Sequence, residues 1–428
     1  MSFRRTLGAI LVLALIVRVG VIVATPHFKP INDSADYDRY AVSLVQSGRF
    51  PDSQLTPGPT AFRAPLFPLA LAAAYEVVGA GSTTTRWAAG RVLEALFGTV
   101  TVALIALIAL RIWNRRVALI AAAITAVYPP LILIGSSLMS ESLFIPLNLA
   151  AVLAALVTRD ARGTRRLSWS VGTGVLTGLA ALARSTDLIL VLPIAFIVWS
   201  ERPRLSMRSL RAPAIAVAAT LLTLVPWLVR DANVMHTFVP ITDESGYAAV
   251  GTYNSYAQTR TDDPALYTPP VLEARKLERL ARGLNEAQFS SKLDTVSLDY
   301  IDAHPSSVLK TAYWTTLRLL DLTGTAFEQS IEPTWGFPGW LAVVSVYAFW
   351  LVALLAVAGA CSRAARRAPW SFWICPIALL ATTVLLIGAT RYRTPADPWI
   401  VLLAALAVAS GAQRRRSARG GGTIAVGS

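Results

Sequence analysis

Cysteine is nearly absent from this chain of 428 residues, with only Cys361 and Cys375, which flank a cluster of arginines. That pattern excludes a disulfide framework and a cysteine-built metal site, so both read as apolar fillers. Histidine is as sparse. His27, His236 and His304 are scattered without ligand spacing, so no metal centre is expected on them. Charged residues make up only 15%, against 54% hydrophobic residues and a mean hydropathy of +0.53, which is too apolar for a soluble domain of this length. A net charge of +14 could point to nucleic acid, but no soluble segment carries a basic face interleaved with aromatics, and that partner is excluded.

What is present is a series of long apolar runs, at 7 to 24, 92 to 110, 117 to 134, 143 to 157, 212 to 229, 339 to 360, 370 to 389 and 399 to 410. Each approaches the ~20 residues that cross a hydrocarbon core. Shorter runs at 65 to 80, 171 to 183 and 188 to 199 are ambiguous by themselves. The first run follows Arg4 and Arg5 and lacks a small-x-small cleavage site, so it reads as a spanning helix rather than a signal peptide.

Parity then sets the topology. With the N-terminus inside and 65 to 80 lying along the outer interface, every arginine cluster falls inside, as the positive-inside effect requires. Those clusters are Arg111, Arg115 and Arg116; Arg159, Arg162, Arg165 and Arg166; Arg202, Arg204, Arg208 and Arg211; Arg363, Arg366 and Arg367; and Arg414, Arg415, Arg416 and Arg419. If 65 to 80 crossed as a short ordinary span, the alternative reading, all of them would flip outside unless another helix were removed. The expected fold is therefore an all-α polytopic membrane protein of about ten spanning helices with both termini cytoplasmic. Residues 1–230 form an N-terminal transmembrane module whose first outer loop is 25–87. Residues 231–338 form a small, mainly helical outer domain, with helical patterns over 271–301 and 308–322 and turns at 261–264 and 268–270. Residues 339–410 hold the last spans, and 411–428 a basic, disordered tail.

The outer side so defined collects the chemistry. Asp33 and Asp36 lie three apart, so on a helix both carboxylates point one way, with Tyr37 and Tyr40 beside them. The plainer alternative is helix capping with solvated acids behind it. Arg63 stands at the mouth of the 65 to 80 helix. Glu141 leads into an apolar helix, where a carboxylate needs a polar cavity or a cation, although a first-turn acid favoured by the helix dipole is also ordinary. Arg184 and the run Arg391-Tyr392-Arg393 sit in short outer connections against the positive-inside trend. Arginines so placed want a phosphate or carboxylate partner. Gly172, Gly174 and Gly178 resemble a phosphate loop, but inside an apolar helix they signal close helix packing.

Acids on the first outer loop, Glu141, and arginines from three other connections suit transfer of a glycosyl group from a phosphate leaving group to a hydroxyl. One carboxylate would act as base and the arginines would steady the departing phosphate.

These residues also carry a family pattern. Asp33-Ser34-x-Asp36-Tyr37, Arg63-x-Pro65-x-x-Pro68, Tyr128-Pro129 with Ser140-Glu141, Pro226-Trp227-x-x-Arg230-x-x-Asn233, Phe238-Val239-Pro240, Gly246, His304-Pro305 and Arg391-Tyr392-Arg393-x-Pro395 with Pro398 together resemble the C-type glycosyltransferase superfamily. The nearest branches hold the protein O-mannosyltransferases and the bacterial lipid A aminoarabinose transferase. The resemblance implies a polyprenyl-phosphate-linked sugar as donor, a lipid, glycan or protein acceptor among membrane lipids, and inverting transfer on the outer face of a bacterial cytoplasmic membrane. It places the catalytic aspartate on Asp33 with Asp36 as neighbour and alternative. The donor phosphate falls to Arg391 and Arg393, with Arg63 and Arg184 also candidates, and Glu141, Tyr37 and Tyr392 support the cavity. No cofactor is expected to be required. Asp-Ser at 33 and 34, in place of the commoner Asp-Glu, leaves help from a divalent cation open. The rival readings are a transporter or flippase for a lipid-linked or anionic solute, and a non-catalytic scaffold of polysaccharide assembly.

Overall fold

A computed structural model describes residues 2–201, 203, 205–268, 274–325 and 337–420. Arg202, Arg204, the 269–270 turn and the tail beyond 420 lie outside the described residues, as do the side chains of Asp187, Arg414, Arg415, Arg416 and Arg419. The protein is an all-α polytopic membrane protein, and among the described residues an isolated bridge from Asp52 to Pro59 is the only β pairing.

Helix α1 (Phe3–Ala24) opens behind Ser2, whose hydroxyl accepts the Arg5 N–H. Helix α2 (Asp33–Ser47) is polar and ends at Gly48, which adopts the left-handed conformation with φ +67°. Helix α3 (Leu66–Val78) has 13 residues, about 20 Å of rise, which is shorter than a hydrocarbon core of about 30 Å. It packs on α2 and on α4 (Thr83–Ile112). Asp38 of α2 ties the three together, receiving the Tyr75 hydroxyl at 2.9 Å and both a 2.9 Å and a 2.8 Å hydrogen bond from Arg86.

The apolar run at 117 to 134 is not one continuous helix, as its hydropathy suggests. Helix α5 (Arg115–Val127) stops at Tyr128 because Pro129 and Pro130 bring no N–H, and the chain restarts as the six-residue α6 (Pro129–Ile134). Helix α7 (Glu141–Asp160) then runs back through the core, and α8 (Gly163–Ala183) follows. The 188 to 199 segment is shorter than a full span, with a 3₁₀ turn at Ser185–Leu190 feeding the eight-residue α9 (Val191–Val198).

Helix α10 (Met207–Met235) lies against α8 through the small residues noted above. A Cβ on Gly174 would fall 2.1 Å from the Ala216 carbonyl oxygen, and one on Gly178 would fall 2.6 Å from Thr223 Cβ. Those glycines are a helix contact rather than a phosphate loop, whereas Gly172 faces open space.

The segment after α10 folds as α11 (Ser245–Thr252), α12 (Ser255–Thr259), α13 (Ala274–Ala281), α14 (Glu286–Ala303) and α15 (Ser306–Leu319). The single helical pattern over 271–301 is thus two helices, broken where Gly283 takes φ +76°. Helices α16 (Gly339–Ala360), α17 (Trp370–Val384) and α18 (Asp397–Gly420) complete the bundle, the last continuing past Gly411 into the stretch assigned to the tail. By length and composition α1, α4, α7, α10 and α16 can each cross a membrane, and the 188–198, α17 and 397–411 segments are apolar but shorter.

Helix α7 measures the distance between two ends of the molecule. At its C-terminus Asp160 pairs with Arg111 at 2.6 Å, Arg166 pairs with Glu201 at 3.6 Å, and Trp113 donates to the Ala364 carbonyl. Its N-terminus, about 30 Å away for 20 residues, carries Glu141 and the charged cluster described next.

Candidate active site

The cluster is assembled from four loops and helix starts. Asn32, with φ +51°, turns the chain into α2, and Ser34 fastens the turn by donating to the Ile31 carbonyl at 2.8 Å. Asp33 and Asp36 then occupy the first turn, where the N-terminal dipole favours anions. They point one way, as their spacing predicts. Arg63 Nη2 donates to Asp33 Oδ1 at 2.6 Å and to Asp36 Oδ2 at 2.9 Å, while Nη1 donates to Glu244 Oε1 at 2.9 Å. Arg391, from the 3₁₀ turn at Thr390–Arg393, donates to Asp33 Oδ2 and, at 3.5 Å, touches Met139 sulfur.

A second ion pair adjoins the first. Arg184 Nη1 lies 2.6 Å from Glu141 Oε1, which supplies the cation that a carboxylate leading into an apolar helix requires. Tyr37 donates to Ser140 Oγ at 3.0 Å, and the guanidiniums of Arg184 and Arg391 both lie against the Tyr392 ring, 5.0 and 4.5 Å from its centroid.

Arg393 does not join this group. Two residues on in a 3₁₀ turn, with three residues per turn, put its side chain on another side. It is buried, donating at 2.7 Å to Asp321 and at 3.1 Å to Asp397, with its guanidinium over Phe349. Its guanidinium is taken up by these buried acids and borders neither of the cavities beside Asp33, apart from the place the sequence pattern suggests for it.

Two cavities meet here. The smaller, polar one is lined by Tyr37, Glu141, Arg184 and Thr186 among others. The larger, about 670 Å³, is bordered by Asp36, Arg39, Tyr40, Tyr247, Tyr267 and Ile387 among others. Asp33, Arg63, Glu244, Arg391 and Tyr392 line both and form the wall they share. Among the described residues no group of three or more His, Cys, Asp or Glu side chains is placed to hold a metal ion.

The electrostatics of that wall are uneven. Burial alone would raise the Asp33 carboxyl, but Arg391 and then Arg63 outweigh it and hold it well below the usual carboxylate range. Glu244 goes the other way, because burial and the neighbouring Asp33 outweigh its arginines and raise it. Burial opposes the charge on Arg63 and Arg391, yet Asp33 and the other acids keep both well above the ordinary arginine value.

Sequence reasoning missed Glu244, whose only signal is an acid at a helix start in the outer segment. It also missed Glu94, an isolated carboxylate within α4. Glu94 accepts the N–H groups of Leu138 and Met139 at 2.8 and 2.7 Å, holding Leu138 at φ +56° and so setting the entry of α7 with Ser140 and Glu141.

Residues 62–229 match the family model described as dolichyl-phosphate-mannose-protein mannosyltransferase. No curated protein sequence matches the chain. Among solved structures the fold is similar to the oligosaccharyltransferase AglB from Archaeoglobus fulgidus in complex with an inhibitory peptide and a dolichol-phosphate, with a TM-score of 0.59 at 14% identity over 100% of this chain and 53% of that one. The apo form of that organism's oligosaccharyltransferase gives a TM-score of 0.58 at 15% identity, over 97% of this chain and 51% of that one. The chain therefore spans about half the length of those proteins. ArnT from Cupriavidus metallidurans bound to undecaprenyl phosphate is a more distant neighbour, with a TM-score of 0.44 at 17% identity, over 94% and 79%. By family model in its N-terminal half and by fold along its whole length, the chain resembles the C-type glycosyltransferase superfamily, as its sequence motifs imply.

Proposed function

We propose that the protein is a membrane glycosyltransferase that moves a hexose or pentose from a polyprenyl-phosphate carrier to a hydroxyl on a lipid, glycan or protein. The observation that carries this reading is the wall of carboxylates and guanidiniums shared by two cavities. Arg391 and Arg184, with Arg63 behind them, suit the smaller cavity to a phosphate. The larger cavity, bordered by Tyr40, Tyr247 and Tyr267, suits an acceptor. The anomeric carbon would sit at the wall between them. A hydroxyl arriving from the large cavity then attacks opposite the departing phosphate, which inverts the configuration, while a carboxylate of the wall takes the proton. The charge that grows on the phosphate is met by arginines already in place. The names of the similar proteins favour the same donor chemistry, a dolichol-phosphate lipid.

The outer face of the membrane is the proposed location. The cluster sits at the opposite end of α7 from the basic residues around Arg111, Arg166 and Arg363, which the positive-inside effect keeps cytoplasmic. Transport is less well supported. A transporter needs ionisable groups along a path through the midplane, whereas Arg18 and Glu94, which do lie within helices, are fixed to backbone groups.

Mass spectrometry of envelope glycolipids and glycoproteins, with and without the protein, tests the reading. The expected result is one missing hexose or pentose, restored by the native chain and not by Asp33→Asn or Arg391→Ala. Full restoration by both variants would overturn it.

A further inference from the structure

Two charged side chains of α4 stand apart from both cavities yet bear on the wall between them. Arg91 and Glu94 are three residues apart, so they leave one side of the helix together. Both are buried, in a helix long and apolar enough to cross a membrane, where ionisable groups are costly unless partners are built for them. The partners come from two other stretches of chain. Arg91 donates from Nε to the Ser136 carbonyl at 2.8 Å, from Nη1 to the Thr25 carbonyl at 3.2 Å and from Nη2 to the Thr25 hydroxyl at 2.6 Å. Its guanidinium lies 4.4 Å from the centre of the Phe28 ring. Glu94 receives the Leu138 N–H on Oε2 and the Met139 N–H on Oε1.

Each stretch leads into the site. Residues 25–28 run from α1 toward the turn that starts α2, the helix of Asp33 and Tyr37. Residues 135–140 join α6 to α7, and from there three successive side chains reach the residues around the smaller cavity. Met139 sulfur lies 3.5 Å from Arg391, Ser140 accepts the Tyr37 hydroxyl, and Glu141 pairs with Arg184. This link does not hold its shape by local preference. Leu138 sits at φ +56°, a conformation that bulky side chains rarely adopt and that persists only where the surroundings enforce it. The two oxygens of Glu94 grip the N–H groups that bracket the Leu138 Cα. Gly90, one turn earlier on α4, leaves room for the Leu138 side chain, since a Cβ there would fall 2.7 Å from Leu138 Cδ2.

Resting on the transferase reading above, we infer that Arg91 and Glu94 are positioning residues, a staple on α4 that holds the smaller cavity in the geometry that receives the lipid phosphate. Neither lines a cavity, so neither meets the donor, and the staple acts through Arg391, Arg184 and Tyr37. A carboxylate suits the Leu138 turn because its two oxygens accept from two N–H groups. A carboxamide offers one acceptor and turns an NH2 group toward the second N–H.

The test separates a misplaced site from a damaged fold. Undecaprenyl phosphate is titrated in detergent into the purified native chain, Glu94→Gln, Glu94→Asp and Arg18→Met, and the dissociation constant and the number of sites per chain are read separately. Damage to the fold alone removes sites and leaves the constant of the remainder unchanged, whereas displaced arginines in a folded chain raise the constant. Arg18 is the control: it is buried, packs on Gly98 of the same helix, donates to the Ala14 and Ala126 carbonyls and lines neither cavity. Arg18→Met is expected to lose sites and keep the native constant. A charge-assisted contact with phosphate is worth roughly 10- to 100-fold in affinity, so Glu94→Gln, which displaces arginines without removing them, is expected to weaken binding by about fivefold or more. Glu94→Asp keeps both acceptors on a shorter arm and is expected to fall between Glu94→Gln and native. If the native chain binds and Glu94→Gln stays within about twofold of its constant, or if Arg18→Met shifts the constant as far as Glu94→Gln does, the staple fails and the transferase reading stands. If Glu94→Gln gives no folded protein, Glu94→Asp decides, a raised constant supporting the staple and a native one overturning it. If the native chain does not bind undecaprenyl phosphate, the proposed donor chemistry fails and the staple with it.

Discussion

Arg391 Nη2 donates to Asp33 Oδ2 across 358 positions of sequence, so the start of α2 and the 3₁₀ turn before α18 are clasped at a single carboxylate. A phosphate entering the smaller cavity meets an arginine that already has an anion. The pair holds Arg391 in place before donor arrives, and it also competes with that donor.

That competition gives opposite signs for two variants. Arg391→Ala removes a charge-assisted contact of about 1.5 to 3 kcal/mol and should weaken undecaprenyl phosphate binding by roughly 10- to 100-fold. Asp33→Asn removes the competitor and should tighten binding several-fold even as transfer is lost. Titration of the purified proteins in detergent checks both. A common loss of affinity would show that Asp33 orients Arg391 for phosphate more than it competes.

Arg393, two residues away, predicts a different phenotype. It neutralises Asp321 and Asp397, both buried, and its removal strands two carboxylates. Arg393→Ala should cost about 3 to 5 kcal/mol of stability, seen as a large fall in melting temperature and in the yield of monodisperse protein. Arg391→Ala leaves Asp33 still paired with Arg63 and should melt closer to native than Arg393→Ala.

The contrast between these neighbours shows what was legible in the sequence and what was not. Apolar runs, basic clusters and their parity marked the helices and placed Asp33, Arg63, Glu141, Arg184 and Arg391 at one end of the bundle, because hydropathy and charge act over whole segments. The spacing of Asp33 and Asp36 also carried through, since a three-residue step on a helix fixes direction. The arginine pattern is blind to the rotation of a 3₁₀ turn, which carries Arg393 away from Arg391 and onto Asp321 and Asp397. Glu244 and Glu94 were missed because their partners, Arg63 and the 138–139 backbone, are distant in sequence and come together only through packing. The end of α5 could be read from Tyr128-Pro129-Pro130, whereas the brevity of α9 could not be read from apolarity alone.

A buried acid pair in the segment after α10 predicts a pH-dependent stability. Glu286 receives Ser53 at 2.6 Å and both Thr60 and the Ala61 N–H at 2.7 Å, pinning the first outer loop to α14. Asp243 stands buried beside it. Burial, then Glu286, push the Asp243 carboxyl up to about 8. A carboxyl raised above its unfolded value of roughly 4 binds a proton more tightly when folded. Its contribution to stability is therefore present at low pH and lost as pH rises from about 4 through about 8. The melting temperature should fall across that window, and Asp243→Asn should flatten the fall. An unchanged slope in that variant would place the pH dependence elsewhere.

The two ends of α7 allow sidedness to be tested with a residue the chain already has. Cys361 is exposed beside Arg363, Arg366 and Arg367, at the basic end, while Cys375 is buried. Leu55 is half exposed on the first outer loop at the end that carries Asp33. If the cluster faces outward, a membrane-impermeant maleimide applied to intact cells should leave the native chain unlabelled and react with Leu55→Cys. Cys361 should react only after the membrane is opened. Labelling of Cys361 in intact cells would put the basic loops outside, contrary to the positive-inside effect, and would move the proposed transfer to the cytoplasmic face. Labelling of both positions in intact cells would break the parity that keeps α3 on the surface, because Leu55 and Cys361 would then have to share one side.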